Sequence, residues 1–107
     1  MTPPITPADL RALAAAPPDP ALAALWWAAQ SDWTRAHEAA QSDDGAAANW
    51  VHAYLHRVEG DAENATYWYS LAQRPVSTAP LDQEWAEIAA ALLANDPNLA
   101  LGPRPVR

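Results

Sequence analysis

The residues best suited to chemistry are two histidines and a glutamate in one short stretch. His52 and His56 are four positions apart, and Glu59 follows three positions after His56. On an α-helix, which repeats every ~3.6 residues, this spacing places all three side chains on one side. Imidazole and carboxylate groups gathered in this way can bind a metal ion, as in helical zinc and di-iron sites. His37, about one helix earlier in the chain, is a candidate fourth ligand.

The same group of side chains has other interpretations. The glutamate lies outside the histidine pair, so the H-E-x-x-H pattern of zinc proteases is absent. The histidines can instead belong to a structural polar core, with hydrogen bonds to Asp61, Asn64 or a tyrosine hydroxyl. A third interpretation is a small-ligand pocket, which would be lined by Trp50, His52, His56, Glu59, Tyr67 and Trp68. No catalytic residue and no cofactor is predicted.

The charge balance narrows the choice of partners. The chain has 13 acidic residues, six arginines and no lysine, and its formal net charge is −7. Nucleic-acid binding needs basic patches that release counterions, so nucleic acid and anionic membranes are not expected partners. The longest uncharged apolar stretch, 21–29, is shorter than the ~20 residues that span a bilayer. The N-terminus lacks the pattern of a signal peptide, and we expect a cytoplasmic protein.

Proline, aspartate and glycine divide the chain into six predicted helices with no strand. Alanine and leucine, which are abundant here, favour helices, and 107 residues suit a single domain. Aspartates and threonines at the breaks, several of them before proline, are typical of helix starts. We predict one all-α domain over 1–98 and an irregular tail over 99–107, with helices at about 7–15, 20–30, 33–42, 46–59, 62–73 and 83–94.

The chain contains an internal repeat with an offset of 29 residues, which aligns Ser31-Asp32 with Gly60-Asp61. The second copy carries the pattern G-[DN]-x-x-x-A, followed by an aromatic residue and a further alanine, at Gly60, Asp61, Ala65, Tyr69 and Ala72. In these residues the chain resembles the tetratricopeptide repeat family. The resemblance implies antiparallel helical hairpins stacked into a short α-solenoid, with the flanking helices 7–15 and 83–94 capping its ends.

The resemblance also implies a function, namely a non-catalytic protein-interaction or scaffolding module that binds a protein or peptide. A homodimer follows if one protomer cannot bury the apolar face of the last helix, which consists of Trp85, Ile88, Ala89 and Leu92. The alternative is a small metal-dependent or acid–base enzyme, or a ligand-binding protein, that uses the fourth helix. Residues 50–69 also resemble small uncharacterised bacterial proteins that share W-x-H-A-x-L-H-R-x-E-G-D-x-x-N-A-x-Y-W-Y, which implies no particular activity.

Overall fold

A computed structural model describes residues 6–95, and the elements within that range are six helices without a strand. The prediction of an all-α fold is confirmed. The tail at 99–107 and the end of the predicted domain lie outside the described residues. The helices are α1 (Pro7–Arg11), α2 (Pro20–Ala29), α3 (Trp33–Gln41), α4 (Ala46–Val58), α5 (Ala62–Ala72) and α6 (Leu81–Asn95).

Side-chain caps start four of these helices. The side chains of Thr6, Asp19, Asp32 and Asp61 each accept a hydrogen bond from the backbone N–H three residues later, at 3.0–3.1 Å. These bonds satisfy donors that have no partner within the helix. The capping residues therefore determine where α1, α2, α3 and α5 begin.

Two helix boundaries differ from the prediction. Helix α1 ends at Arg11 instead of about residue 15. The carbonyl of Leu13 accepts a hydrogen bond from the indole Nε1 of Trp26 at 3.0 Å, so a tertiary contact replaces the next helical turn. Helix α6 begins at Leu81 instead of residue 83, because the N–H of Glu84 bonds to the carbonyl of Pro80. Asp82 therefore lies in the first turn of α6.

Helix α4 occupies the centre of the fold. Helices α2 and α3 pack against each other, as do α4 and α5, and α4 also contacts α2, α3 and α6. Helix α6 contacts α1, α2 and α4, and the Nε1 of its Trp85 donates to the carbonyl of Leu25 at 2.8 Å. The main core draws on α1, α2, α3, α4 and α6, and a smaller cluster of Ala53, Ala65 and Tyr69 joins α4 to α5.

The apolar face of α6 is used within the chain. Trp85, Ile88 and Ala89 are buried in the main core, and the half-buried Leu92 packs against it. One protomer therefore buries the apolar face of α6, and this face gives no reason to expect a homodimer. Within residues 6–95, none of the helices combines the length and the apolar character that crossing a bilayer requires.

A buried polar network links α4, α5 and α6. The carboxylate of Glu84, which is 2% exposed, accepts hydrogen bonds from the Tyr69 hydroxyl and from Nη1 of Arg57. Nη2 of Arg57 donates to the carbonyl of Ala79 at 2.7 Å. Burial raises the pKa of the Tyr69 hydroxyl, and the hydrogen bond and charge of Glu84 raise that pKa further, so the hydroxyl remains a donor. The network fixes α6 to the central helix.

Replacing Glu84 by alanine should lower the free energy of unfolding by about 3 kcal/mol, because the change leaves Arg57 and Tyr69 without their buried acceptor. Glu87 lies on the exposed side of the same helix and is the matched control, since Glu87→Ala should change that free energy by less than about 0.5 kcal/mol. Urea denaturation followed by far-UV circular dichroism measures both values. Equal stability of the two variants would contradict the importance of the network.

Candidate functional site

The three histidines of the chain come together on one side of α4. His52 and His56 lie on α4 and His37 lies on α3. Nε2 of His37 and Nε2 of His52 are 2.9 Å apart, within hydrogen-bonding distance. One ring nitrogen from each histidine lies within 4.8 Å of the others. We call this group the histidine cluster.

Alanine residues allow the helices to approach closely around the cluster. Ala36 on α3 has no exposed surface, and His37 follows it directly. Ala53 on α4, next to His52, packs with Ala65 of α5 in the small core between these two helices. Small side chains at such contacts bring the backbones together, and the longer imidazoles of adjacent positions then reach one another. The helix packing thus sets the distance between the histidines.

Two tryptophan rings stack on imidazoles of the cluster and fix their orientation. The Trp33 ring stacks on His37, with ring centroids 4.7 Å apart and planes at 12°. The Trp68 ring stacks on His52, with centroids 3.7 Å apart and planes also at 12°. Nε1 of Trp33 donates a hydrogen bond to the carbonyl of Leu55 at 2.7 Å, which anchors this indole to α4. The rings of His37 and His52 are consequently fixed before any ligand binds.

Glu59 contacts the histidine cluster at Nδ1 of His56. One of its carboxylate oxygens, Oε2, lies 2.6 Å from Nδ1 of His56, and about a third of the Glu59 side chain is exposed. A carboxylate accepts hydrogen bonds, so the proton of a neutral His56 ring resides on Nδ1 and the lone pair on Nε2. Carboxylates play this role behind metal-binding histidines. Glu59, one of the four residues of the metal hypothesis, is therefore placed to orient a ligand.

The environment of His52 keeps its ring uncharged. Burial, followed by the proximity of His37 and His56, lowers the pKa of His52 from 6.5 to about 4. Burial and the nearby His56 also lower the pKa of His37, against the opposing charges of Glu59 and Glu38. At neutral pH the rings of His52 and His37 are therefore uncharged, and each has one nitrogen with a free lone pair. The hydrogen bond between their Nε2 atoms needs a proton on one of these two nitrogens, so a metal bound by both Nε2 atoms would move that proton to Nδ1 of the same ring.

The hydrogen bonds of His52 and His56 differ from those expected for a structural polar core. The partners expected for His52 and His56 were Asp61, Asn64 or a tyrosine, whereas the partners found are His37 and Glu59. In the part of the chain that the structure describes, Nδ1 of His52 is buried without any hydrogen-bond partner. Buried polar groups are normally paired, and an exception calls for an explanation. A polar core built only for stability would be expected to pair this nitrogen.

All three imidazoles line an open depression between α3 and α5, which we call the histidine cleft. Its volume is ≈ 430 Å³. Of the residues predicted to contact a ligand, His52, His56, Tyr67 and Trp68 line this cleft. Trp50 lies on a different depression, where the guanidinium of Arg74 covers its ring at 3.8 Å from the centroid. Trp50 and His52 differ in direction because positions two apart on a helix point to nearly opposite sides.

The cleft also contains residues that the sequence analysis did not select. Trp33 and Gln41 of α3 and Asn64 of α5 line it, and Asn64 was expected only as a hydrogen-bond partner. A signal was available, because Trp33, His37 and Gln41 are spaced by four and therefore share one face of α3. That face could be recognised in the sequence, although its position opposite His52 depends on how α3 and α4 pack.

The metal-free protein should lose stability as the pH falls from about 6.5 towards 4. His52 binds a proton in the unfolded chain below its ordinary pKa of 6.5, whereas the folded ring resists protonation until about pH 4. The stabilisation is therefore complete above pH 6.5, and about 3 kcal/mol of it is lost across this window. Urea denaturation in the presence of a chelator at several pH values measures the slope. The slope should flatten in His52→Gln, and an equal slope in both proteins would contradict the assignment.

The chain matches no protein-family model, no curated protein and no solved structure.

Proposed function

We propose that the histidine cluster binds a divalent transition-metal ion through His37, His52 and His56. The observation that carries the proposal is the convergence of three ring nitrogens within 4.8 Å of one another. In a tetrahedral site with metal–nitrogen bonds of about 2.0–2.1 Å, ligand nitrogens are about 3.3–3.4 Å apart. The Nε2 atoms of His37 and His52, now 2.9 Å apart, need to separate only slightly to reach this distance.

The chemistry of the donors selects the class of metal. Imidazole suits zinc, copper, nickel and cobalt, whereas magnesium and calcium prefer oxygen ligands. The lowered pKa values of His37 and His52 keep both rings neutral at pH 7, as metal binding requires. The hydrogen bond that Nδ1 of His56 donates to Glu59 leaves the lone pair of this ring on Nε2, the nitrogen that would bind the metal. Zinc is the first metal to test.

We place this site in a tetratricopeptide-like module of helical hairpins. Supporting this, the two turns that align in the sequence have the same backbone conformation. Ser31 and Gly60 have positive φ values of 62° and 86°. Asp32 and Asp61 follow with φ/ψ of −105°/80° and −99°/81°. In this arrangement His37 belongs to the first hairpin and the other two histidines to the second, so a bound metal would link the hairpins.

A protein-interaction or scaffolding role, in the cytoplasm, is the second candidate. The observation in its favour is the exposure of apolar side chains on α5, where Tyr67 is 56% and Leu71 is 43% exposed. Helix α5 makes its main packing contacts with α4, which leaves its opposite side available. Exposed apolar surface of this kind is typical of interaction sites when it is contiguous. A second copy of the chain is the simplest partner to test.

Purified protein without a histidine tag should bind one zinc ion per chain, as measured by calorimetry and metal analysis. Zinc at a hundredfold excess over its dissociation constant should raise the free energy of unfolding by about 2.7 kcal/mol, and a chelator should reverse the increase. We expect zinc binding to weaken by more than about a hundredfold in each of the variants His37→Gln, His52→Gln and His56→Gln. Even the loss of a residue that only hydrogen-bonds to a metal ligand lowers metal affinity 10- to 100-fold.

The control for these variants is Glu87→Gln. Glu87 is exposed on α6, which contributes no residue to the histidine cleft, and its replacement should leave zinc binding unchanged. Unchanged thermal unfolding in zinc and in chelator for the wild-type protein would exclude the metal-binding function. Circular dichroism of each metal-free variant distinguishes loss of a ligand from loss of the fold.

The interaction candidate predicts that the chain self-associates through α5. Sedimentation velocity over a concentration series should show a dimer that Leu71→Glu disrupts, because the charge removes an exposed apolar contact. Ser70→Glu introduces the same charge at the neighbouring exposed position and is the control. A monomer at every concentration would exclude a homodimer.

A further inference from the structure

We infer that the histidine cluster leaves one coordination position of its metal open to the cleft, and that this position takes a small anion of the carboxylate class. The inference rests on the proposed metal-binding function. It concerns the occupant of the cleft, which metal binding alone does not specify.

The nearby carboxylates are engaged elsewhere. Oε2 of Glu59 lies 2.6 Å from Nδ1 of His56, on the side of the ring away from Nε2. Asp61 caps α5 by accepting a hydrogen bond from the backbone N–H of Asn64 at 3.1 Å. Among residues 6–95, two groups of candidate ligands share His56, namely the three histidines and a more exposed group of His56, Glu59 and Asp61. No carboxylate belongs to the group that contains His37 and His52. A three-histidine donor set is typical of sites that keep a fourth position for an external ligand.

The charge of such a site favours an anion. Three neutral imidazoles bring no negative charge to the metal. The carboxylate of Glu59 behind His56 would offset at most one of its two positive charges, and a negative ligand would reduce the remainder. The arginines that flank the cluster in sequence have other partners. The guanidinium of Arg35 lies 4.9 Å from the ring centroid of Trp27, and Arg57 bonds to the buried Glu84. The metal is thus the source of positive charge, and anion binding should require it.

The walls of the cleft suit a small organic anion. Gln41 and Asn64 supply amide groups that can donate hydrogen bonds, and the rings of Trp33, Tyr67 and Trp68 supply flat apolar surface. The volume of ≈ 430 Å³ far exceeds the ~30 Å³ that one water molecule occupies in the liquid. A carboxylate with a short apolar or aromatic group matches these walls better than water alone.

The test uses the protein loaded with Co²⁺, whose visible absorption reports changes in coordination. Titration with sodium acetate or sodium benzoate, at constant ionic strength set with perchlorate, should change the spectrum in a saturable way. Benzoate should bind more tightly than acetate, because its ring can stack in the cleft. Calorimetry should detect no acetate binding to the metal-free protein.

The other possible results distinguish the absence of an open coordination position from the absence of a metal site. A cobalt spectrum that responds to neither anion would overturn the open position while leaving the metal site intact. The absence of any cobalt spectrum would instead show that the proposed function fails. Acetate binding to the metal-free protein would contradict the role of the metal in attracting the anion.

Variants of α5 test the contribution of the cleft wall. Asn64→Ala should weaken acetate binding about three- to tenfold, the effect of one lost hydrogen bond, without changing the affinity for cobalt. The control is Thr66→Ala, because Thr66 is exposed on the same helix and bonds only to the carbonyl of Ala62. Equal acetate affinities of the two variants would contradict the assigned role of Asn64.

Discussion

The close contact of α4 with α3 and α5 is the constraint on which the histidine cluster depends. Ala53 and Ala65 are at most 1% exposed and pack together between α4 and α5, and Ala36 of α3 is fully buried in the main core. A larger residue at any of them would force the helices apart, because a packed interior cannot absorb the added volume without strain. At Ala53 or Ala65 the change would separate α4 from α5, and the first consequence would be loss of the stacking of Trp68 on the imidazole of His52.

Burying the cluster has an energetic cost that other parts of the fold offset. A buried ring nitrogen without a partner, as at His52, costs about 1–3 kcal/mol. The stacked tryptophans recover part of this cost, since aromatic pairs add about 0.5–1.5 kcal/mol beyond the area they bury. Elsewhere on α4, the bonds of Arg57 and Tyr69 to Glu84 hold α6 in place. The central helix can therefore retain one buried nitrogen without a partner, because its contacts with α6 are well satisfied.

Helical periodicity accounts for what the sequence could predict of the site. It placed His52, His56 and Glu59 on one side of a helix, and the capping aspartates located the neighbouring helices. Periodicity defines a face but does not identify the helix that covers it. The contact of Arg57 with Glu84 spans 27 positions and that of Trp85 with Leu25 spans 60. The role of Glu59 was also beyond prediction, since the same spacing permits either metal binding or a hydrogen bond to His56.

The position of His37 would make metal binding and helix packing parts of one equilibrium. His37 comes from the α2–α3 pair, whereas His52 and His56 come from the α4–α5 pair. A metal that binds all three binds only the packed arrangement, so its binding free energy adds to the stability of that arrangement. Trp33 and Trp68 fix two of the rings without metal, which reduces the ordering cost that binding would otherwise incur. Metal binding would then require the Nε2 atoms of His37 and His52 to separate from 2.9 Å to about 3.3–3.4 Å, and the remaining nitrogen pairs, which lie within 4.8 Å, to adopt the same distance.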